Sequence, residues 1–327
     1  MAIGFLGTGS FVPDRVVTNE EIAELVTDAT PEWILRKTGI ATRRWAGHGE
    51  ATSDLAAVAA VRALEAAGVP ADRVDYLVLS TSTGDFPQPP TSCLVQDVIG
   101  AHGAACLDIN AVCAGFVYGV ELARSLVAAK PGALALVIGA DVYSRILDFS
   151  DRRTSVLLGD GAGAVVVGEV EDGGIIDVDL SSYGAAQDLI KVVAGGSRVP
   201  TSAQTVAAGG HYFTMQGRGV RDFVMDNLPP LLDKLVTKAG LTLADVDCFV
   251  PHQANGVLLR ELAVRSGLGD AHTHLTVDRF GNLGSASVPV ALDDAVRTGK
   301  INAGDLVLLA GFGGGMSVGT SLVRWSA

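Results

Sequence analysis

The strongest constraint on this sequence is an internal repeat with a spacing of 172 residues. The segment 67–78 recurs at 239–250, the segment 132–139 recurs at 304–311, and Ile3 recurs as Ile175. One such match is easily accidental, whereas matches in a single register indicate two halves that share one topology. The acidic, glycine-containing turn Glu171–Gly174 is the expected boundary, which predicts halves at residues 1–171 and 172–327.

Helical and extended patterns alternate within each half. Ser53 is predicted to cap the first long helix and Gly68 to end it. The predicted helices are Ser53–Ala67, Ala114–Ala129, Val220–Ala239 and Ala286–Thr298. Short apolar runs predict buried strands at Val74–Ser80, Leu134–Gly139, Ala164–Val170, Cys248–Val250 and Leu306–Ala310. This alternation predicts an α/β fold whose mixed sheets are covered on both faces and packed as a layered sandwich with a pseudo-two-fold.

The composition excludes several classes of protein. An apolar fraction of 48 % can fill a large core, and a net charge of −12 argues against a nucleic-acid partner. No continuous apolar run reaches the roughly 18 residues of a membrane span, and the N-terminal residues lack the pattern of a secretory signal. The four cysteines lack metal-site or redox spacing, which predicts a reduced, cytoplasmic protein; they are Cys93, Cys106, Cys113 and Cys248.

Cys113 is the first candidate for chemistry. It stands at the start of an apolar helix, directly after a predicted strand. The positive end of the helix dipole and the free N–H groups at that position favour a thiolate, the nucleophilic form. The alternative is a small buried residue, since free cysteine is common in cores.

His252 and Asn282 are the candidates in the second half. His252 follows a predicted strand, where residues face ligand-binding crevices in α/β sheets; the alternative is a hydrogen-bonded core histidine. The repeat aligns His252 with Ser80 and Cys113 with Ser285, so Asn282 lies just before the counterpart of the Cys113 helix. Two equivalent helix starts can approach each other across a pseudo-two-fold, although Gly-Asn is also ordinary turn chemistry.

Two glycine clusters and one histidine pair are further candidates for binding sites. Gly159–Gly163 leads into a strand rather than a helix, so it is not a dinucleotide loop. Phe312–Gly315 follows a strand and could aim an N–H group at an oxyanion, or could be a tight turn. His272-Thr-His274 is expected in a polar loop without further metal ligands, so no metal site is predicted.

Taken together, these segments resemble the thiolase-fold condensing enzymes, most closely the β-ketoacyl-acyl carrier protein synthase III family. The shared motifs run along the whole chain; they are 33–40, 111–116, 159–164, 251–255, 281–282 and 312–315. The resemblance implies a thiolase-like fold of two duplicated mixed-sheet halves in an αβαβα sandwich. It also implies a homodimer that uses acyl-CoA and malonyl-acyl carrier protein and needs no metal or redox cofactor.

The same resemblance implies roles for individual residues. Cys113 would receive the acyl group, and the N–H groups of Cys113 and Gly314 would form the oxyanion hole. His252 and Asn282 would hold the malonyl thioester, and Phe312 would assist its decarboxylation. The residues implied to bind CoA or pantetheine are Trp33, Lys37, Arg152, Met215, Gly217 and Asn255.

The sequence departs from the family at the rim that receives an acidic carrier protein. Gly256-Val257 stands where relatives commonly place Leu-Arg, and Val264 replaces a second basic residue. This departure favours an alternative function, that of an acyltransferase that delivers the acyl group to a small-molecule alcohol or amine. A third hypothesis is a non-catalytic subunit that only dimerises with an active synthase. The resemblance implies that the segment Phe86–Thr91 shapes the acyl pocket from across the dimer, and its sequence here is individual.

Overall fold

Two five-stranded sheets form the frame of the protein. The structure is a computed structural model that describes residues 2–326 of the chain. Met1 and Ala327, the ends of the two predicted halves, lie outside the described residues. The strands are β1 (Ala2–Phe11), β2 (Val16–Thr18), β3 (Thr42–Arg44), β4 (Tyr76–Ser80), β5 (Ala105–Ile109), β6 (Ala135–Val142), β7 (Asp160–Val170), β8 (Gly174–Ser182), β9 (Ile190–Val192), β10 (Phe213–Met215), β11 (Cys248–Pro251), β12 (His272–Thr273), β13 (Leu306–Gly313) and β14 (Ser317–Arg324). The helices are α1 (Asn19–Leu25), α2 (Pro31–Thr38), α3 (Thr52–Ala67), α4 (Thr91–Ile99), α5 (Gly115–Ala129), α6 (Ala203–Ala207), α7 (Gly217–Lys238), α8 (Gly256–Arg265), α9 (Val277–Phe280) and α10 (Ser287–Arg297).

The two sheets have the same topology. The first has the order β1-β7-β6-β4-β5, and the second has the order β8-β14-β13-β11-β12. In each sheet the last three strands are parallel and the other pairings are antiparallel. Tyr76 pairs with Ala135, and Cys248 pairs with Val307, so the residue register also repeats at a spacing of 172. The prediction of one topology in both halves is confirmed, whereas the division into domains at residues 171 and 172 stays a prediction.

Five layers stack on one another, which confirms the predicted αβαβα sandwich. Helices α3 and α4 cover the outer side of the first sheet, and α7 and α8 cover the outer side of the second. Helices α5 and α10 form the middle layer and contact both sheets. The segment Val112–Ala129 is long and apolar enough to span a membrane by composition alone, but half of it is buried in this middle layer.

The start of α3 differs from the prediction that Ser53 caps it. The helix begins at Thr52, and the Asp54 carboxylate accepts a hydrogen bond from the Ala51 N–H at 2.8 Å. The N–H and hydroxyl of Ser53 instead donate to Asp85, at 3.0 and 2.6 Å. The predicted end of the helix is confirmed, because Gly68 takes a left-handed conformation with φ of 64°. A tertiary partner therefore overrode the local capping preference of serine.

The cluster Gly159–Gly163 serves sheet packing. Strand β7 already begins at Asp160, so most of the cluster is extended, and its rejection as a nucleotide loop is confirmed. A Cβ at Gly163 would lie 2.7 Å from the backbone of Pro289 and Val290 on α10. Because no side chain intervenes, the middle-layer helix can approach the sheet closely.

His272 and His274 do not lie in a polar loop as predicted. His272 belongs to the edge strand β12, and His274 is buried, with Nε2 2.8 Å from Asp294 Oδ2. The ring nitrogens of the two histidines are 3.1 Å apart. Across residues 2–326, no group of three or more candidate ligands could hold a metal ion.

Candidate active site

Cys113 lies in a tight turn that leads from β5 into α5. The turn Val112–Ala114 is a single 3-10 turn, and α5 follows without interruption from Gly115. Val112 has φ of +49°, a left-handed conformation that is rare for a β-branched residue. Such backbone strain is typical of functional positions because it aims the next side chain. The predicted placement of Cys113 at a helix start is confirmed, and only 8 % of the residue is exposed.

The expectation that Cys113 is a thiolate is wrong for this conformation. Burial raises the pKa of the Cys113 thiol far above its ordinary value, and the negative charge of Asp141 adds to the rise. These effects outweigh the favourable helix start, because the desolvation of a buried thiolate costs more free energy than its interaction with the helix dipole provides. The resting residue is therefore a neutral thiol, and its proton must leave when the sulfur attacks.

The glycines of β13 lie directly against Cys113. A Cβ at Gly313 would be 2.6 Å from the Cys113 nitrogen, and one at Gly311 would be 3.2 Å from the Cys113 carbonyl oxygen. Gly314 packs beside Val112 and Ile190, where its Cβ would lie 3.2 and 3.5 Å away. The segment Phe312–Gly315 is thus more than a turn, because it brings free backbone up to the cysteine.

His252 stands at the end of β11 and is nearly inaccessible. Its N–H donates to the Ala310 carbonyl at 2.7 Å, and its ring packs edge-on against Phe312 with centroids 5.1 Å apart. Burial lowers the pKa of His252 to about 3, so the ring is neutral at physiological pH. Within residues 2–326, Nδ1 of His252 has no hydrogen-bond partner. A neutral imidazole carries one N–H donor, which can polarise a carbonyl oxygen without adding a full charge.

Backbone bonds on both sides hold Asn282 in place. Its N–H donates to Leu157 at 2.9 Å, and its carbonyl accepts from the Gly159 N–H at 2.9 Å. Its side-chain oxygen accepts from the Gly284 N–H, also at 2.9 Å. Because the oxygen is committed to the backbone, the amide nitrogen is the group that can donate to a ligand.

One cavity of about 320 Å³ unites the predicted ligand-binding positions with Asn282. The predicted residues that line it are Trp33, Lys37, Arg152, Met215, Gly217, Asn255 and Asn282. Cys113, His252, Phe312 and Gly314 do not line this cavity and are buried. Two contacts connect the cavity wall with the buried residues. The N–H of Ala254, on the wall, donates to the His252 carbonyl at 3.0 Å. Met215, also on the wall, pairs with Ile190, which contacts Gly314.

The mouth of the cavity is built from α2 and α8. The Arg152 guanidinium lies over the Trp33 ring at 4.9 Å from its centroid, a cation–π arrangement. Asn255 caps α8, since its oxygen accepts from the N–H groups of Val257 and Leu258, at 2.8 and 3.0 Å. Its nitrogen donates to the Lys37 carbonyl at 3.1 Å. Asn255 thus ties the two helices together, and both ends of its side chain are engaged.

Several cavity residues were missed by the sequence reasoning. They are Thr38, Arg153, Val156, Leu157, Val220, Arg221, Ala254, Val257, Leu258, Glu261. Most are apolar or charged residues on the turns and helices around the mouth, with no motif to mark them. Thr38 and Ala254 lie within the motifs 33–40 and 251–255, and the departure at Gly256-Val257 pointed to α8, but the other positions carried no signal.

A duplicated five-layer fold with a buried cysteine at a helix start, and with histidine and asparagine from the other half, defines a thiolase-fold condensing enzyme. The chain belongs to the 3-oxoacyl-[acyl-carrier-protein] synthase III family: residues 107–184 match the model of that family, and residues 236–325 match the model of its C-terminal part. The resemblance inferred from the sequence motifs is confirmed.

Individual relatives cover nearly the whole chain. The acetoacetyl CoA synthase NphT7 of Streptomyces sp. strain CL190 is 47 % identical, over 98 % of this chain and 98 % of that protein. The β-ketoacyl-[acyl-carrier-protein] synthase III of Clostridioides difficile strain 630 is 43 % identical, over 99 % and 98 %. The crystal structure of a priming β-ketosynthase from a polyketide biosynthetic pathway superposes with a TM-score of 0.92 at 34 % identity, covering 99 % of this chain and 97 % of that one.

Proposed function

We propose that the enzyme loads an acyl group from acyl-CoA onto Cys113 and condenses it with a malonyl thioester. The observation that supports this proposal is the cavity that runs from Trp33 to Asn282, joined through Ala254 to the buried group in which His252 packs on Phe312 and Gly313 on Cys113. In the loading step the Cys113 sulfur attacks the thioester carbonyl, CoA leaves, and the thiol proton passes to the CoA sulfur. The N–H groups of Cys113 and Gly314 would stabilise the oxyanion.

The second step forms the carbon–carbon bond. The malonyl carboxylate leaves as carbon dioxide, and the electron pair of the broken bond forms an enolate. Hydrogen bonds from the neutral His252 ring and the Asn282 amide would stabilise that enolate, with Phe312 beside the leaving carboxylate. The enolate carbon attacks the Cys113 thioester, and the cysteine sulfur leaves and takes up a proton. The products are a 3-oxoacyl thioester, carbon dioxide and the free enzyme.

The carrier of the malonyl group is a separate question. Val257 and Val264 on α8 are 41 % and 74 % exposed at positions where relatives carry basic residues. Nearby arginines are already paired, Arg221 with Glu261 and Arg265 with Asp226. The loss of these two basic side chains weakens the attraction of the rim for an acidic carrier protein, which favours malonyl-CoA as a second candidate for the extender. The 47 % identity to an acetoacetyl CoA synthase supports the same choice.

The carriers can be compared directly. We expect kcat/KM to be higher with malonyl-CoA than with the same malonyl group on an acyl carrier protein. Val257→Arg should improve the reaction with the carrier protein, whereas the uncharged control Val257→Gln should not. A preference for the carrier protein in the unaltered enzyme would overturn the choice of CoA.

The acylation step and the competing acyltransferase function are tested by mass and by gas release. Intact-mass analysis after incubation with a panel of acyl-CoAs should show one added acyl group, which Cys113→Ala abolishes and Cys93→Ser retains. Addition of malonyl thioester should then release carbon dioxide in proportion to product. Acyl transfer to an alcohol or amine without carbon dioxide would select the acyltransferase, and no labelling of Cys113 would select the non-catalytic subunit.

We further propose a homodimer in the cytoplasm. Strand β5 closes one edge of the first sheet, and its Leu107 side chain is 38 % exposed, so a second copy could extend the sheet there. All four cysteines are free thiols, as suits a reducing compartment. Light scattering should give a mass twice that of the chain, and a monomer would refute the dimer.

A further inference from the structure

Asp141 is a wholly buried carboxylate near the end of β6. Its Oδ1 accepts hydrogen bonds from Ser82 N–H at 2.9 Å and from three hydroxyls, which are those of Thr81 at 3.2 Å, Ser82 at 3.1 Å and Thr83 at 2.9 Å. Its Oδ2 accepts from the N–H and hydroxyl of Ser285, at 2.7 and 2.6 Å. No lysine, arginine or histidine within residues 2–326 forms an ion pair with it. Neutral donors from both halves of the chain therefore hold this carboxylate.

The repeat explains what this carboxylate replaces. At the spacing of 172 residues, Ser285 is the counterpart of Cys113, and Gly313 is the counterpart of Asp141. The first half thus presents Asp141 to Ser285 just as the second half presents Gly313 to Cys113. In the second half, Gly313 leaves free backbone beside the helix start that carries Cys113. In the first half, the Asp141 carboxylate instead accepts from the N–H of Ser285, at the equivalent helix start.

A short chain of contacts leads from Asp141 to Asn282. Gly284 precedes Ser285 with φ of 59°, and a Cβ there would overlap the Asp141 carboxylate and the Tyr143 ring. The Gly284 N–H donates to the Asn282 side-chain oxygen at 2.9 Å. The carboxylate therefore fixes the Gly284–Ser285 turn, and the Gly284 N–H of that turn orients the Asn282 amide.

We propose that Asp141 is a positioning residue for the carbon–carbon bond-forming step, because it anchors the Gly284–Ser285 turn and thereby aims the Asn282 amide at the malonyl thioester. The inference rests on the proposed role of Asn282 in that step. It assigns no contact between Asp141 and substrate. It explains why the second copy of the helix start, which carries no nucleophile, keeps a buried acidic partner.

A positioning role and a purely structural role make different predictions. If Asp141 only stabilised the fold, its loss would reduce acyl loading and condensation together. If it positions Asn282, its loss slows condensation but not acyl loading, because Cys113 is held by Gly311 and Gly313 on a different strand and removal of the Asp141 charge only favours the thiolate. The ratio of the two half-reactions separates these roles.

The experiment uses Asp141→Asn, which has the same shape but only one acceptor oxygen, so it cannot accept from both the Ser82 and the Ser285 N–H groups. We expect acyl loading, followed by intact mass, to be unchanged or faster, and carbon dioxide release to fall by about tenfold to a hundredfold. Ser285→Ala removes only the hydroxyl and should show a smaller loss in the same step. It also provides the result if Asp141→Asn fails to fold.

Two further variants make the outcome decisive. Asp293→Asn is the control, because Asp293 is a buried carboxylate on α10 that accepts from Thr8, Ser10 and Arg297 and should leave the ratio unchanged. Asn282→Ala is measured in parallel. If Asn282→Ala blocks condensation and Asp141→Asn leaves it intact, or if Asp141→Asn slows both half-reactions equally, the positioning role is overturned. If Asn282→Ala itself leaves condensation intact, the proposed function fails first.

Discussion

Gly313 and Cys113 touch through backbone atoms, and there is no room for a side chain between them. A Cβ at Gly313 would lie 2.6 Å from the Cys113 nitrogen and 2.9 Å from its Cβ. Real Cβ atoms do not approach backbone that closely, so any larger residue at this position must displace the turn that carries the thiol. The contact joins a strand of the second half to the nucleophile of the first.

Gly313→Ala is therefore expected to impair acyl loading. The displaced Cys113 N–H would no longer meet the thioester oxygen, and loading followed by intact mass should slow by about a hundredfold. Gly196→Ala is the control, because a Cβ at that position meets nothing within 4 Å. Normal loading by Gly313→Ala would show that the backbone around Cys113 tolerates a shift.

Asn282→Ala should separate the two half-reactions. The enzyme should still accept an acyl group, because Cys113 and its glycine neighbours are untouched, but carbon dioxide release should fall by about a hundredfold or more. The exposed Asn302→Ala provides the comparison. Parallel loss of both steps would mean that Asn282 does not act in condensation.

The raised pKa of Cys113 predicts slow alkylation at neutral pH. Only the thiolate reacts, so the rate of modification by iodoacetamide should keep rising beyond pH 9, where an ordinary thiol with a pKa of about 8.5 levels off. Peptide mapping after timed exposure at each pH would follow Cys113 separately from the other cysteines. A plateau below pH 8 would indicate an activated thiolate and contradict the effect of burial.

His252 predicts a dependence of stability on acid. Its pKa is about 3 in the folded protein and about 6.5 in an unfolded chain, so the unfolded state binds the extra proton between these values. The contribution of the neutral His252 ring to the free energy of unfolding is therefore complete above about pH 6.5. Below that value the free energy of unfolding falls by about 1.4 kcal/mol per pH unit.

Chemical denaturation at pH 7.5 and pH 5 measures this effect. Relative to His252→Gln, the unaltered protein should lose about 2 kcal/mol more of its unfolding free energy over that interval. His102→Gln, at an exposed position, controls for removal of a histidine. Equal losses in the unaltered protein and in His252→Gln would show that His252 is protonated in the folded state.

The sequence predicted the architecture because the duplication is recorded in residue order. The match of 67–78 with 239–250 became two equivalent strand pairs in the same register. The helix end at Gly68 was also predictable, since glycine favours the left-handed conformation found there. These features depend on neighbours along the chain.

Other properties depend on residues that are distant in the chain. The protonation state of Cys113 was misjudged because its burial and the charge of Asp141 arise only in the folded protein. The cap of α3 was misplaced because Asp85 competes for Ser53. The cavity draws Val156 and Val220 from separate elements, and no local pattern marks either as a wall residue.

The shared middle layer determines how a substrate can enter. Helices α5 and α10 each contact both sheets, so a hinge motion that parted the halves would expose their common apolar interior to water. Admission of a long thioester must therefore depend on small, local displacements at the rim, around the Trp33–Arg152 stack and the two-stranded β9–β10 sheet. We therefore expect the two halves to move together and the residues at the rim to move locally. Turnover should respond to substitutions at the rim rather than to the length of the connection between the halves.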